Sequence, residues 1–174
     1  MNKKNLVIIA VALTCAVAGA AVGMKNAPAP APAAAGAVSA LFAQSMNDSA
    51  GKAQALSMYK GKALIVNFWA PWCAPCVKEM PELAELASEI APKNIGVIGI
   101  GIDTPTNIAQ FAAKVKVTYP LYVAGMTGTD LAREFGNKAG GLPYTVLIGA
   151  DGKVKKTYLG QIKFKELKAD LAKL

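Results

Sequence analysis

The sequence predicts an α/β sandwich built on a mixed central sheet, and three observations carry that prediction. Leu64-Ile65-Val66-Asn67-Phe68-Trp69 is a nearly unbroken apolar run, the pattern of a strand covered on both faces. It feeds directly into Val77, Met80, Leu83, Ala84, Leu86, Ala87 and Ile90, which recur at spacings of three and four and so mark one face of a helix. Beyond it, apolar runs and helical stripes keep alternating until a Gly-containing hairpin and a last helix close the chain, which places parallel and antiparallel pairs in one sheet.

The 174 residues suffice for one ordinary domain with appendages. At the amino end, Lys3 and Lys4 precede Leu6 to Met24, nineteen residues without a charge, and Lys25 follows. Such a run is a signal anchor or a signal peptide, because the lysines stay cytoplasmic while the apolar stretch enters the bilayer and the rest is exported. At 1.5 Å per residue it reaches about 28 Å, close to a hydrocarbon core of about 30 Å, whereas a cleavable core is usually about 7–15 residues. Length therefore favours a retained anchor through residues 6–24, while the small-x-small Ala18-Gly19-Ala20 is where cleavage would release the chain. Cys15 lies in this run behind Leu13-Thr14, a poor match to the small-residue box of a lipid-modified cysteine, and reads as a passenger thiol.

Asn26 to Ala37 alternates Pro with Ala, which predicts an extended spacer and no helix. The expected division is thus 1–25 signal anchor or signal peptide, 26–37 Ala/Pro linker, and 38–174 folded domain. Leu41 to Asn47 and Lys52 to Leu56 flank Asp48-Ser49-Ala50-Gly51 as a hairpin. Leu64 to Trp69 is the central strand and Ala74 to Ala91 the helix after it. Pro81 removes a backbone donor inside that helix and should kink it near Val77. Ile95 to Ile102 is a second buried strand, and Asn107 to Val115 a helix opened by Thr104-Pro105-Thr106. Pro120 to Val123 is a short extended piece, and Thr129 to Phe135 a helix stopped by Gly136. Tyr144 to Ile148 and Lys153 to Tyr158 form a hairpin around Gly149-Ala150-Asp151-Gly152, and Phe164 to Leu174 is the closing helix.

The chain contains no His, which removes imidazole bases, Ser-His and Cys-His pairs, and His-ligated zinc, copper or haem. Beyond Lys25, sixteen basic residues face eleven acidic ones, but the lysines are scattered rather than run together. That distribution reads as a solvated surface and not as a nucleic-acid face.

The remaining cysteines, Cys73 and Cys76, stand at the strand-to-helix junction in Trp72-Cys73-Ala74-Pro75-Cys76. There Cys73 falls at the helix N-terminus, where free N–H groups and the helix dipole favour a thiolate. Cys76, one turn inside and shielded, is placed to attack a mixed disulfide formed on Cys73. Pro75 suits a first turn, which has no intrahelical donor to lose. Zinc would find only two ligands here, and a purely structural bridge would close a very short loop that stabilises little in the chain-entropy picture. A peroxidatic cysteine fails because Val66 and Ala70 stand where that motif needs Pro and a hydroxyl residue.

Asn67 to Cys76, Asn-Phe-Trp-Ala-Pro-Trp-Cys-Ala-Pro-Cys, resembles the active-site segment of thioredoxins. Its continuation Val77-Lys78-Glu79-Met80-Pro81 makes C-x-x-C-x-x-E-x-P, which is similar to the TlpA/ResA branch of membrane-tethered bacterial thioredoxins. The resemblance runs over about residues 38–174, through Gly140-Gly141-Leu142-Pro143-Tyr144-Thr145, which is similar to the family's cis-proline loop, and Ile148 to Lys153 at the terminal hairpin.

It implies a thioredoxin-like three-layer sandwich with a central mixed sheet, and dithiol-disulfide exchange on the periplasmic side of a bacterial inner membrane, or in the soluble periplasm if the signal is cleaved. Cys73 would attack, Cys76 resolve and Glu79, one turn past Cys76, would take or return its proton; a solvated helix glutamate is the plainer reading of that position. Ordinary thioredoxins carry a buried Asp where this chain has Asn67, which cannot titrate, so Glu79 is the better proton carrier. Pro143 is expected cis, with the Leu142 backbone free to pair with an extended substrate. Trp72 and Tyr144 would flank the cysteines and offer apolar contact, although each also fits as a rim or core aromatic.

The redox-active Cys73–Cys76 disulfide is the only cofactor this requires, with no metal. Expected partners are disulfide-bearing exported proteins and a membrane thiol electron donor, since the chain has no flavin or nicotinamide motif. The branch commonly acts as a reductant, most often in cytochrome c maturation. A disulfide oxidant or isomerase and a non-catalytic metal-handling module stand as the alternatives.

Overall fold

A computed structural model describes residues 32–115 and 117–174. The expected anchor or signal peptide through residues 6–24 and the first part of the expected Ala/Pro spacer lie outside the described residues. Among the described residues no helix is long and apolar enough to cross a membrane.

The described residues begin with helix α1 (Pro32–Ala43), strand β1 (Ser45–Asp48) and strand β2 (Ala53–Ala55), followed by a short 3-10 turn at Leu56–Tyr59. Strand β3 (Ala63–Trp69), helix α2 (Ala74–Ile90), strand β4 (Ile95–Gly101), helix α3 (Pro105–Lys114) and strand β5 (Leu121–Val123) come next. Helix α4 (Thr127–Glu134), the hairpin β6 (Tyr144–Ile148) and β7 (Val154–Leu159), and helix α5 (Phe164–Leu171) complete it. The seven strands form one sheet in the order β2-β1-β5-β4-β3-β6-β7. β3 is parallel to β4 and antiparallel to β6, so the sheet is mixed as expected. Every residue of β3 is buried.

Two expectations fail in part at the amino end. Pro-Ala alternation predicts an extended spacer up to residue 37, and the hairpin reading predicts a strand from Leu41, yet residues 32–37 of the one and Leu41 to Ala43 of the other belong to α1. Pro32 opens this helix, where its missing N–H costs nothing, and Ala33, Ala34 and Ala35 are the strongest helix formers available. Ala37, Val38, Leu41 and Phe42 then share one face and bury it against the sheet. The β1–β2 hairpin is present, and its β1 also pairs with β5. α2 continues through Pro81 to Ile90.

Alternation along the strands builds the three layers. Leu64, Val66 and Phe68 of β3, with Tyr144, Val146 and Ile148 of β6, face α1 and α4. Ile65 and Trp69, with Leu147, face the layer of α2, α3 and α5. On that face β4 presents Gly99 and Gly101, and the absent side chains leave room for the indole of Trp69, which meets the Phe111 ring at 4.8 Å, and for Ile108. A Cβ on Gly99 would lie 2.6 Å from Leu121 Cδ2 and 3.0 Å from Trp69 Nε1. Leu121 can turn aside but the indole is wedged, so Gly99→Ala is expected to cost about 1–3 kcal/mol as overpacking. Denaturant unfolding checks this as a lowered midpoint at unchanged slope.

The register also places the site. Phe68 pairs with Tyr144 and Trp69 with Gly101, so the chain leaving β3, the chain leaving β4 and the loop entering β6 meet at one edge of the sheet.

Candidate active site

β3 ends at Trp69, whose carbonyl accepts from Ile102 N–H at 2.8 Å, and the chain turns through Ala70-Pro71-Trp72 with Cys73 N–H donating to Ala70 O at 3.1 Å. Cys73 is the N-cap of α2. Its Sγ accepts from the Cys76 N–H at 3.3 Å. A donor aimed at that sulfur from the helix N-terminus stabilises negative charge on it once the bridge opens. Here Cys73 and Cys76 are joined as a disulfide, with their Cα atoms 5.3 Å apart. Cys73 retains slight exposure (6%) and Cys76 has none, the ordering expected of attacker and resolver.

Glu79 is buried beneath this turn at 1% exposure. Its Oε1 accepts from Asn67 Nδ2 at 2.9 Å and its Oε2 from Ile162 N–H at 2.8 Å. The same Asn67 Nδ2 donates to Thr145 Oγ1 at 2.9 Å. Burial pushes the Glu79 carboxyl above its ordinary value, and the Ile162 N–H and Asn67 amide act against that by favouring the charged form. Glu79 is thus a buried carboxyl held by donors on both oxygens, one turn from Cys76 on α2. The reading of Glu79 as a solvated helix residue does not survive this geometry.

The Leu142–Pro143 bond is cis. Among the described residues, neither the N–H nor the C=O of Leu142 bonds another backbone group, while the neighbouring Gly141 O is held by Asn137 Nδ2 at 2.9 Å. Trp72 stands 69% exposed beside the disulfide. Tyr144 does not flank the cysteines. Alternation along β6 turns it to the opposite face of the sheet, where it is buried against Phe68 and its hydroxyl donates to Phe135 O at 2.8 Å. Its polar tip is consumed by the core, which corrects its assignment to substrate contact.

A groove of about 560 Å³ opens next to the disulfide, lined among others by Trp72, Ile102, Met126, Ala132 and Leu142. Met126, 76% exposed, forms part of its lining. Sequence reasoning passed over Met126, Asn137 and the Ile162 N–H, and gave Thr145 no role beyond its place in the loop motif. The cluster around Glu79 left one trace in the sequence, Asn67 as a single amide within an otherwise apolar strand.

Residues 24–171 match the redoxin family. A thiol-disulfide oxidoreductase ResA of Geobacillus thermodenitrificans is 31% identical over 127 residues, covering 72% of this chain and 71% of that protein. A thiol-disulfide oxidoreductase ResA of Bacillus anthracis is 33% identical over 130 residues, covering 74% of this chain and 73% of that protein. The crystal structure of a thiol:disulfide interchange protein of the thioredoxin family from Chlorobium tepidum TLS superposes with a TM-score of 0.64 at 27% identity, covering 75% of this chain and 91% of that one.

Proposed function

The chain belongs to the redoxin family as a thiol-disulfide oxidoreductase of the ResA-like thioredoxin branch, and on that footing we propose that it works outside the cytoplasm as a reductant of exported partner proteins. The observation that carries this reading is the Cys73–Cys76 pair at the start of α2, with a buried proton carrier behind it and an open apolar groove beside it.

In the reduced protein the Cys73 thiolate attacks one sulfur of the partner's disulfide. A mixed disulfide forms and the partner's other sulfur leaves as a thiolate that takes up a proton. Cys76 then gives its proton to Glu79 and attacks Cys73 Sγ, which releases the partner's second sulfur and closes the Cys73–Cys76 bridge. Two electrons have passed to the partner, and the bridge is the only redox group required. A membrane thiol carrier returns them by the same exchange in reverse. Residues 6–24 hold the chain at the inner membrane. Cytochrome c maturation, the commonest role of the branch it resembles, is the route we assign, with a disulfide-bearing apoprotein as substrate.

The groove favours an unfolded segment that places an apolar side chain next to its cystine, while the unpaired Leu142 backbone offers main-chain hydrogen bonds. Met126→Lys puts a charge in that lining, and the loss of an apolar contact worth about 1–3 kcal/mol raises KM for a cystine peptide with a neighbouring aromatic by about 10-fold or more. An unchanged KM would take the groove out of substrate binding.

Direction is tested by equilibrating the full chain against thiol buffers and reading the Cys73–Cys76 couple. A potential near about −270 mV, where thioredoxin lies, supports the reductant, and one near about −120 mV reverses the direction of transfer.

A further inference from the structure

The hydrogen bonds around Glu79 contain an imbalance. Asn67 is fully buried, and its Nδ2 supplies both of its side-chain bonds, to Glu79 Oε1 and Thr145 Oγ1. Its Oδ1 is buried with no partner. Thr145 Oγ1 accepts from Asn67 and makes no other side-chain hydrogen bond among the described residues, so its own O–H is left without an acceptor. Buried polar groups are rarely left unpaired without a reason.

This arrangement suits a charged Glu79 and only that state. An ionised carboxylate is acceptor-only and needs donors on both oxygens, which Asn67 Nδ2 and Ile162 N–H provide. Once Oε1 carries a proton it becomes a donor and faces an N–H donor. Rotating the Asn67 carboxamide by half a turn exchanges the two groups. Oδ1 then sits between Glu79 and Thr145, accepting from the Glu79 O–H and from the Thr145 O–H, which gains the acceptor it lacked. The bond from Ile162 N–H to Oε2 is untouched.

We propose that Asn67 is a positioning residue for the exchange reaction, whose carboxamide takes opposite orientations in the two protonation states of Glu79 while Thr145 reverses from acceptor to donor. The inference rests on the reading of Glu79 as the proton carrier for Cys76. It lets a fully enclosed carboxyl keep a hydrogen bond on each oxygen in both states, while the unpaired end of the Asn67 carboxamide passes from Oδ1 to Nδ2. An aspartate at position 67 would add a second ionisable group, whereas an amide follows the first without competing for the proton. The other titratable groups near Glu79 are the two cysteines one turn and two turns earlier on α2 and Tyr119, whose hydroxyl is held neutral first by burial and then by the Glu79 charge.

The test is a pH series on the reduced full chain in detergent micelles, following the Asn67 side-chain ¹⁵N amide and the Glu79 carboxyl ¹³C resonances together. Both signals are expected to move with one shared midpoint, and the Asn67 response to vanish in Glu79→Gln. Asn67→Leu removes the donor to the charged form and is expected to raise the Glu79 midpoint by about one pH unit, the scale of one lost charge-assisted hydrogen bond. The rising limb of the exchange-rate profile should move to higher pH with it. Thr145→Ser, which keeps the hydroxyl, should retain the shared midpoint. An Asn67 amide that stays still while Glu79 titrates overturns the inversion, and a Glu79 midpoint unmoved by Asn67→Leu overturns the positioning role. Coupled signals in a chain whose Glu79→Gln variant exchanges at the wild-type rate would leave the amide inversion standing and remove the proton-carrier reading instead.

Discussion

Cys73→Ser is expected to reduce disulfide exchange to the uncatalysed background, while Cys76→Ser is expected to stop the cycle halfway with a partner bound. The difference follows from position. Cys73 is the N-cap sulfur that receives the Cys76 N–H and keeps slight exposure, so it alone can meet a partner's disulfide. A serine there offers a poor nucleophile of far higher pKa, and no neighbouring imidazole exists to activate it. Cys76 is wholly enclosed, and its loss leaves the first attack intact but removes the group that resolves it. Non-reducing gels and mass spectrometry check this directly: a covalent partner adduct that accumulates on Cys76→Ser and is absent from Cys73→Ser. Adducts on Cys76 in the Cys73→Ser chain would reverse the assignment.

Glu79→Gln should carry the next largest effect, a fall of about 10²-fold in the resolving step at neutral pH, at the lower end of what a positioned proton acceptor contributes. With Glu79 as the proton acceptor, resolution in the wild type should gain rate as Glu79 ionises. In the variant it should rise only as the Cys76 thiol itself ionises, so the profile moves to more alkaline pH. Stability should move in the opposite sense. Because burial raises the Glu79 carboxyl above its ordinary 4.5, the folded chain still holds a proton that the unfolded chain has already released. Its contribution is therefore full below that ordinary value and is lost as pH rises through the raised folded value. Glu79→Gln, neutral throughout, should flatten this slope and melt above the wild type on its alkaline side. Thermal unfolding of both chains over a pH series reads the difference, and parallel slopes would show that the carboxyl is not titrating in the fold.

Much of the architecture is legible in the residue order because it depends on period and punctuation. The apolar run from Leu64 to Trp69, the stripe from Val77 to Ile90 and the loop from Gly149 to Gly152 each name their element locally, and the strand, helix and hairpin stand there. The errors fall where two local signals compete. Alternating prolines up to Pro32 mask the helix-forming alanines after it, and burial of Val38, Leu41 and Phe42 against the sheet decides for the helix. Tyr144 fails for a related reason: the loop motif locates its backbone, but alternation within β6 decides which face its ring takes.

The chemistry of this protein is written in local residue order: two cysteines three residues apart at a strand-to-helix junction, a glutamate one turn further, and no histidine to supply another mechanism. Spacing within a single helix is enough to align those groups. What surrounds them comes from long-range packing. The donors that hold Glu79 come from positions 12 and 83 residues away, the hydroxyl that completes the set is 78 residues from Asn67, and the groove draws its lining from several separate loops. Periodicity says which face of an element is buried. Only the pairing of β3 with β4 and β6 fixes which distant residues that face meets, and so whether a buried carboxyl finds donors for its oxygens.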